Sequence, residues 1–183
     1  MRKYDFRLIL LAIALSVSLS ACSTTLDEYE NTAPEFDLQQ FFTGELKGWG
    51  LVKDWQGKVT QRFSVALDGK WEQNKGTLYE LFTYSDGRSQ ERIWQLEKLK
   101  DGKSLGRAND VVGDANGKQE GFAFNWSYQL LVDTKNGPIA VNLNDWIYQI
   151  DSHALVSEAQ IKKFGFNVGE VLVFIVKQDQ KNG

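Results

Sequence analysis

Glu80 and Arg92 are two oppositely charged residues that a predicted hairpin would bring together. Asp86-Gly87, a dipeptide typical of tight turns, lies about midway between them. Residues opposite each other on paired strands have neighbouring side chains, and a buried arginine–carboxylate pair has a specific geometry. Such a pair can hold the polar group of a ligand, or it can close one end of a barrel. The sequence leaves both interpretations open.

The remaining ionisable residues do not form a recognised catalytic set. His153 is the single histidine and Cys22 the single cysteine, so we predict no zinc cluster and no histidine-based nucleophilic site. Asp110 and Asp145 could each bind a ligand hydroxyl or hold a loop. Glu80 and Asp145 could act as a carboxylate pair on a glycoside, although nothing in their spacing favours this. No metal ion and no cofactor is predicted, and a non-enzymatic role is favoured.

Large side chains recur at every second position from Phe122 to Leu130, and the residues between them are small or polar. This pattern places the large side chains on one face of a β-strand. The chain also contains six tryptophans. Aromatic residues of this kind either fill a barrel core or line an apolar pocket with a few polar groups. For a pocket, the predicted ligand-binding residues are Glu80, Phe82, Arg92, Trp94, Phe124, Trp126, Tyr128 and Trp146.

The N-terminus has the pattern of a bacterial lipoprotein signal. Three basic residues within positions 1–7 precede an apolar run over positions 8–19. The run is shorter than the roughly 20 residues that span a bilayer, and the combination is typical of a secretory signal. The following Leu19-Ser20-Ala21-Cys22 resembles the lipobox, in which a peptidase cuts before a cysteine that receives a lipid.

These features predict a signal peptide over residues 1–21, a lipidated tether over 22–36 and a barrel domain over 37–183. Ser23 follows the cysteine, which resembles the sorting pattern for the outer membrane. We therefore expect a protein anchored to the outer membrane through lipid on Cys22, facing the periplasm.

The charge balance argues against nucleic acid as a partner. The whole chain holds 21 basic and 24 acidic residues, and residues 1–21 account for three of the basic and one of the acidic. The remaining chain has 18 basic and 23 acidic residues, a mildly acidic balance that gives no electrostatic attraction to phosphate backbones.

Glycine-containing turns divide the chain into strands. Gln56-Gly57, Asn74-Lys75-Gly76, Asp86-Gly87, Asp101-Gly102, Asn116-Gly117 and Asn136-Gly137 are the clearest turn signals. Residues 157–165 resemble a short helix, because Ser157 can cap its start and Gly165 can end it. Residues 169–178 are strongly β-prone and are predicted to form a closing strand. We predict an all-β, antiparallel, up-and-down barrel of about eight strands, lipocalin-like, with one short helix before the last strand.

Several stretches resemble an uncharacterised family of proteobacterial outer-membrane lipoproteins that contain a domain of unknown function. The resemblance extends over about residues 36–177. The matching stretches are FTG at 42–44, GWG at 48–50, ELFTYSDG at 80–87, RIW at 92–94, GRANDVVG at 106–113, NWSY at 125–128, NDWIY at 144–148 and KFG at 163–165. The resemblance implies a lipocalin-like fold and no established activity.

Three functions remain as expectations. The preferred one is binding of a lipid-like or other apolar small molecule in a barrel cavity. The first alternative is a filled barrel that acts as a scaffold or accessory lipoprotein for envelope proteins, through exposed apolar patches. The second is an enzyme acting on lipids or glycans. The expected partners are therefore a lipid or apolar small molecule and the membrane through the anchor, with no nucleic acid, and any protein partner is undefined.

Overall fold

The computed structural model describes residues 24–178, so the predicted signal peptide and Cys22 lie outside the described residues. A 3₁₀ helix (Leu26–Tyr29) and a short helix α1 (Leu38–Phe41) precede the strands. The strands are β1 (Gly44–Asp54), β2 (Val59–Glu72), β3 (Lys75–Tyr84), β4 (Ser89–Lys98), β5 (Lys103–Arg107), β6 (Val111–Glu120), β7 (Ala123–Val132), β8 (Ile139–Gln149), β9 (Ala154–Lys163) and β10 (Phe166–Lys177).

The strands form one closed antiparallel barrel. Each strand pairs with its successor along the chain, and pairing of β1 with β10 completes the ring. Closure leaves no unpaired sheet edge, which confirms the predicted all-β, up-and-down barrel. The turns after β1, β3, β5, β7 and β9 lie at one end, the mouth end. The turns after β2, β4, β6 and β8 lie at the other, the closed end.

The barrel has ten strands, so the prediction of about eight is wrong. One missing strand comes from Asn116-Gly117, which we predicted to be a turn but which lies inside β6. The turn instead follows Arg107, and it splits one predicted strand into β5 and β6. Gly117 is opposite Trp126 on β7, and a Cβ at Gly117 would collide with the indole ring. This glycine makes room for a ring and does not form a turn.

The second missing strand is β9 (Ala154–Lys163), so the helix that the sequence predicts over 157–165 is wrong. Leu155, Ser157 and Ala159 are buried while Glu158 and Gln160 are exposed, an alternation that a strand produces. β9 pairs along its length with both β8 and β10. These two ladders outweigh the helix propensity of its Glu, Ala, Gln and Lys residues, because propensity is a weak preference that tertiary pairing overrides.

Residues 36–42 pack across the closed end as a plug. Phe36, Leu38, Phe41 and Phe42 are all buried, and Phe36 stacks on Phe124 with ring centroids 5.2 Å apart. Polar contacts fix the plug: Trp71 Nε1 donates to the Phe42 carbonyl at 3.0 Å, and Lys98 Nζ donates to the Asp37 carboxylate at 2.6 Å. The plug makes one end of the barrel solid, so any internal space must open towards the mouth end.

Within residues 24–178, no helix is long and apolar enough to cross a membrane.

Candidate functional site

A cavity of about 1060 Å³ lies inside the barrel. It extends from the plug, where Leu38 and Phe42 line it, to the mouth end, where Arg88 and Asp133 line it. A barrel of eight strands is just wide enough for side chains to fill, and the two additional strands widen this one. Small-molecule sites occupy about 300–1000 Å³, so the space is sufficient for a ligand of substantial size.

Aromatic side chains form one wall of the cavity. Phe124, Trp126, Tyr128 and Leu130 of β7 line it, as the alternating pattern predicts. Trp94 of β4 faces this row, with its ring centroid 5.8 Å from Trp126 and 5.5 Å from Tyr128, in edge-to-face arrangements. Phe82 lines the cavity from β3. Seven of the eight predicted ligand-binding residues, including Glu80 and Arg92, therefore face the same space.

Trp146 is the exception, and its predicted place in the cavity wall is wrong. On β8 the cavity is lined by Val141, Leu143, Asp145 and Ile147, which have odd numbers, so Trp146 points to the outer face. There it stacks on Tyr148 with centroids 6.1 Å apart and contacts Tyr29 of the 3₁₀ helix. Trp146 attaches the N-terminal segment to the outside of the barrel, a role that β8 alone does not reveal.

The Glu80–Arg92 pair forms as predicted, because the two residues are opposite each other in the β3–β4 register. Arg92 Nη1 lies 3.5 Å from Glu80 Oε2. Asp110 binds Arg92 more closely: Nε and Nη2 donate to its carboxylate at 2.9 and 2.8 Å. Gln90 Nε2 donates to the same carboxylate at 3.2 Å. The arginine is therefore held mainly by a residue of the β5–β6 turn.

A second acidic group faces the cavity from β8. Asp145 Oδ1 accepts a hydrogen bond of 2.7 Å from the Ser157 hydroxyl on β9. Ser157 is buried and lines the cavity, so the helix-capping role that the sequence predicts for it is wrong. Glu80, Arg92, Asp110, Tyr128, Asp145 and Ser157 together form a polar cluster on an otherwise mainly apolar wall.

Burial sets the protonation of the two acids. Burial raises the pKa of the Glu80 carboxyl to about 7. The charge of Arg92 and hydrogen bonding by Trp94 oppose this rise, whereas the charges of Asp110 and Asp145 add to it. Burial also raises the pKa of Asp145 to about 6, while the hydrogen bond from Ser157 and the charge of Arg92 limit the rise. The pKa of the Tyr128 phenol is raised by burial and then by Asp145, so Tyr128 stays neutral. Glu80 and Asp145 both titrate near neutral pH.

One oxygen of Glu80 is left without a hydrogen bond. Its side chain is only 13% exposed, and Oε2 is a buried atom with no hydrogen-bond partner among the described residues. Unpaired buried acceptors cost free energy and are uncommon in proteins. A hydrogen-bond donor carried by a ligand in the cavity would satisfy this oxygen.

Glu80→Gln is expected to stabilise the protein at alkaline pH, because glutamine keeps the shape without a charge that burial penalises. The folded pKa of about 7 lies above the reference value of 4.5, so the folded state binds the proton more tightly. The free-energy cost that ionised Glu80 imposes on the folded state therefore grows as the pH rises from about 4.5 to about 7. By linkage it reaches about 3 kcal/mol by pH 8.

Urea unfolding at pH 5 and pH 8 measures this effect. The stability advantage of the variant over the wild type should be small at pH 5 and about 3 kcal/mol at pH 8. Glu72→Gln, at an exposed position on β2, is the matched control and should show no such growth. A stability advantage of Glu80→Gln that is equal at pH 5 and pH 8 would contradict the raised pKa of Glu80 in the folded state.

The polar cluster combines one guanidinium with three carboxyl groups. Two of these carboxyl groups, Glu80 and Asp145, can take up or release a proton near neutral pH. Among residues 24–178, no group of three or more His, Cys, Asp or Glu residues is arranged to hold a metal ion. His153 lies in the exposed β8–β9 turn, where its Nδ1 is 2.8 Å from the Ser152 hydroxyl, at the end of the barrel away from the mouth. The histidine is therefore remote from the polar cluster.

Comparison with known proteins places the chain in a family and supports the fold. The model of the family described as "Protein of unknown function (DUF3833)" matches residues 16–177, and the chain belongs to this family. No curated protein matches it. The barrel is similar to the structure of the S-type phycobiliprotein lyase CPES from Guillardia theta, with a TM-score of 0.57 and 8% identity. That similarity covers 87% of this chain and 100% of the lyase, and at this identity it shows a shared fold alone.

Proposed function

We propose that this member of the DUF3833 family binds a lipid-like or other apolar small molecule inside its barrel. The observation that carries the proposal is the cavity of about 1060 Å³, with its aromatic wall and its buried polar cluster. Apolar walls with a few convergent polar groups are the usual composition of a small-molecule site. The similar barrel of a phycobiliprotein lyase is compatible with a fold that accommodates a small molecule.

We further propose that the protein is a lipoprotein of the outer membrane, anchored through Cys22 and facing the periplasm. The lipobox-like sequence before Cys22 supports this proposal. The 3₁₀ helix at Leu26–Tyr29 contacts Phe122 in the β6–β7 turn, which is at the closed end. An anchor just before this helix would hold the closed end near its membrane and leave the mouth facing away, accessible to a ligand.

Binding can be tested with 1-N-phenylnaphthylamine, a neutral apolar dye that fluoresces in apolar surroundings. We expect one dye per chain to bind. Leu143→Trp places a larger side chain in the cavity, because Leu143 is buried and lines it. This variant should bind the dye at least about tenfold more weakly, since there is less space and added bulk is poorly accommodated.

Asn142→Trp is the matched control, because Asn142 is the exposed neighbour on the same strand. It should bind the dye as the wild type does. Circular dichroism and thermal unfolding confirm that each variant is folded. Equal dye binding by Leu143→Trp and the wild type would place the dye outside the cavity and contradict the proposal.

A second candidate function, an accessory lipoprotein that docks to envelope proteins, is favoured by the mouth end. Phe164 and Phe166 in the β9–β10 hairpin and Trp55 in the β1–β2 turn are 86%, 75% and 73% exposed. Large exposed aromatic side chains grouped at one end are typical of interaction surfaces. Replacing Phe164 and Phe166 with serine separates the two functions, because cavity binding should persist in that variant.

A further inference from the structure

We infer that the cavity selects ligands whose polar end is a neutral or cationic hydrogen-bond donor, such as a hydroxyl or an ammonium group, and disfavours carboxylates and phosphates. This inference rests on the proposed function and names the ligand class. It also departs from the simplest expectation for an arginine in a barrel, which is that it grips an anionic head group.

The guanidinium of Arg92 is already surrounded by two carboxylates and two aromatic rings. Asp110 takes the Nε and Nη2 edge at 2.8–2.9 Å, and Nη1 is directed at Glu80. The guanidinium carbon lies 5.3 Å from the Phe82 ring centroid and 5.8 Å from the Trp94 ring centroid, so both rings are within cation–π distance of it. An incoming anion would have to displace a buried carboxylate from a bidentate pair, which would leave that carboxylate buried without its cation.

The charges that face the cavity are predominantly acidic. Arg92 alone among the cluster is basic, against Glu80, Asp110 and Asp145. Residues at the mouth add Arg88 against Glu91 and Asp133, and Arg88 is already paired with Asp86 at 2.9 Å. An anionic ligand therefore meets a net repulsive field, which the low dielectric of the interior strengthens.

The groups left available in the cavity match a donor on the ligand. Glu80 Oε2 is a buried acceptor that accepts no hydrogen bond among the described residues, and its ion-pair partner, Arg92 Nη1, is 3.5 Å away, which is longer than a hydrogen bond. Glu80 lines the cavity from the middle of β3. Gln61 Nε2, also buried without a partner there, is a neutral donor on β2 that can bind a hydroxyl oxygen. A neutral hydroxyl can satisfy either group, while an ammonium would pair with the ionised form of Glu80.

Displacement of bound 1-N-phenylnaphthylamine by three ligands with the same twelve-carbon chain tests the inference. The ligands are dodecanol, used below its solubility limit, and dodecylamine and dodecanoate, used below their micelle concentrations, all at pH 7.5. We expect dodecanol and dodecylamine to displace the dye at concentrations at least tenfold lower than dodecanoate. Equal or stronger displacement by dodecanoate would overturn the inference and leave the proposed function standing. Failure of the dye itself to bind would instead remove the proposed function.

Two variants test whether the polar cluster causes the preference for dodecanol and dodecylamine over dodecanoate. Glu80→Gln removes an acidic acceptor, and Asp110→Asn releases the Nε and Nη2 edge of Arg92. Each should shift the ratio of dodecanoate to dodecylamine affinity at least tenfold towards dodecanoate. Asp114→Asn is the control, because Asp114 pairs with Arg107 at an exposed site. The ratio of dodecanoate to dodecylamine affinity should be the same in this variant as in the wild type. If Asp110→Asn does not fold, the affinity ratio of Glu80→Gln alone tests whether the polar cluster sets the ligand preference. A ratio unchanged in the folded variants would contradict the inference.

Discussion

Replacing Arg92 with methionine is expected to lower the free energy of unfolding by about 3–5 kcal/mol at pH 7.5. The guanidinium is 13% exposed and lies between the carboxylates of Glu80 and Asp110, which are 13% and 11% exposed. Methionine fills much of the same volume but leaves these buried acids without their cation. The loss is large because an unpaired buried charge keeps its full desolvation penalty. Urea unfolding followed by tryptophan fluorescence measures it.

Arg107→Met is the matched control. Arg107 pairs with Asp114 at the surface, where the two side chains are 66% and 42% exposed, and such pairs contribute at most about 1 kcal/mol. The deficit of Arg92→Met should also shrink as the pH falls towards 5, because Glu80, whose pKa burial raises to about 7, then binds a proton and loses its charge. A deficit below about 1 kcal/mol at pH 7.5 would contradict the central place of Arg92 in the cluster.

Trp126→Ala is expected to cost about 3–5 kcal/mol of stability and to weaken dye binding at the same time. The indole is 6% exposed, and it lies over Gly106 and Gly117, where any added Cβ would collide with it. It also packs against Phe124 with centroids 5.1 Å apart. The residue is thus both a packed element and a wall of the cavity, so its removal should affect both measurements.

Trp146→Ala is the control for this variant, since it removes the same side chain from the outer face of β8. It should lose the contacts with Tyr29 and Tyr148 and some stability, while dye affinity stays unchanged. If Trp126→Ala left stability unaffected, the ring would border open space only. If Trp146→Ala weakened dye binding as much as Trp126→Ala, the assignment of the two faces would be wrong.

The parts of the site that depend on short-range pairing could be predicted from the sequence. Glu80 and Arg92 meet because one hairpin with a clear Asp86-Gly87 turn fixes their register. The aromatic face of β7 follows from alternation within one strand. In both cases the information lies within about a dozen residues, where strand periodicity and turn chemistry are sufficient.

Asp110 and Ser157 could not be assigned in this way. Asp110 reaches Arg92 only because the chain turns after Arg107, and the Asn116-Gly117 pair indicated a turn at a different position. Ser157 faces Asp145 only if residues 154–163 form a strand, whereas their composition favours a helix. Both outcomes depend on pairing with distant strands, which local sequence does not specify. The face of Trp146 was missed because the N-terminal segment covers it, and aromatic composition alone does not distinguish a covered outer face from an inner one.

Native mass spectrometry of the protein, purified from cells without detergent, tests whether the cavity holds a bound small molecule. Binding in the barrel predicts an added mass of one small molecule per chain, which is released on denaturation and is reduced in Leu143→Trp but not in Asn142→Trp. The released molecule should carry a hydroxyl or amine at its polar end. A bare polypeptide mass that persists after incubation with a membrane lipid extract would contradict ligand binding.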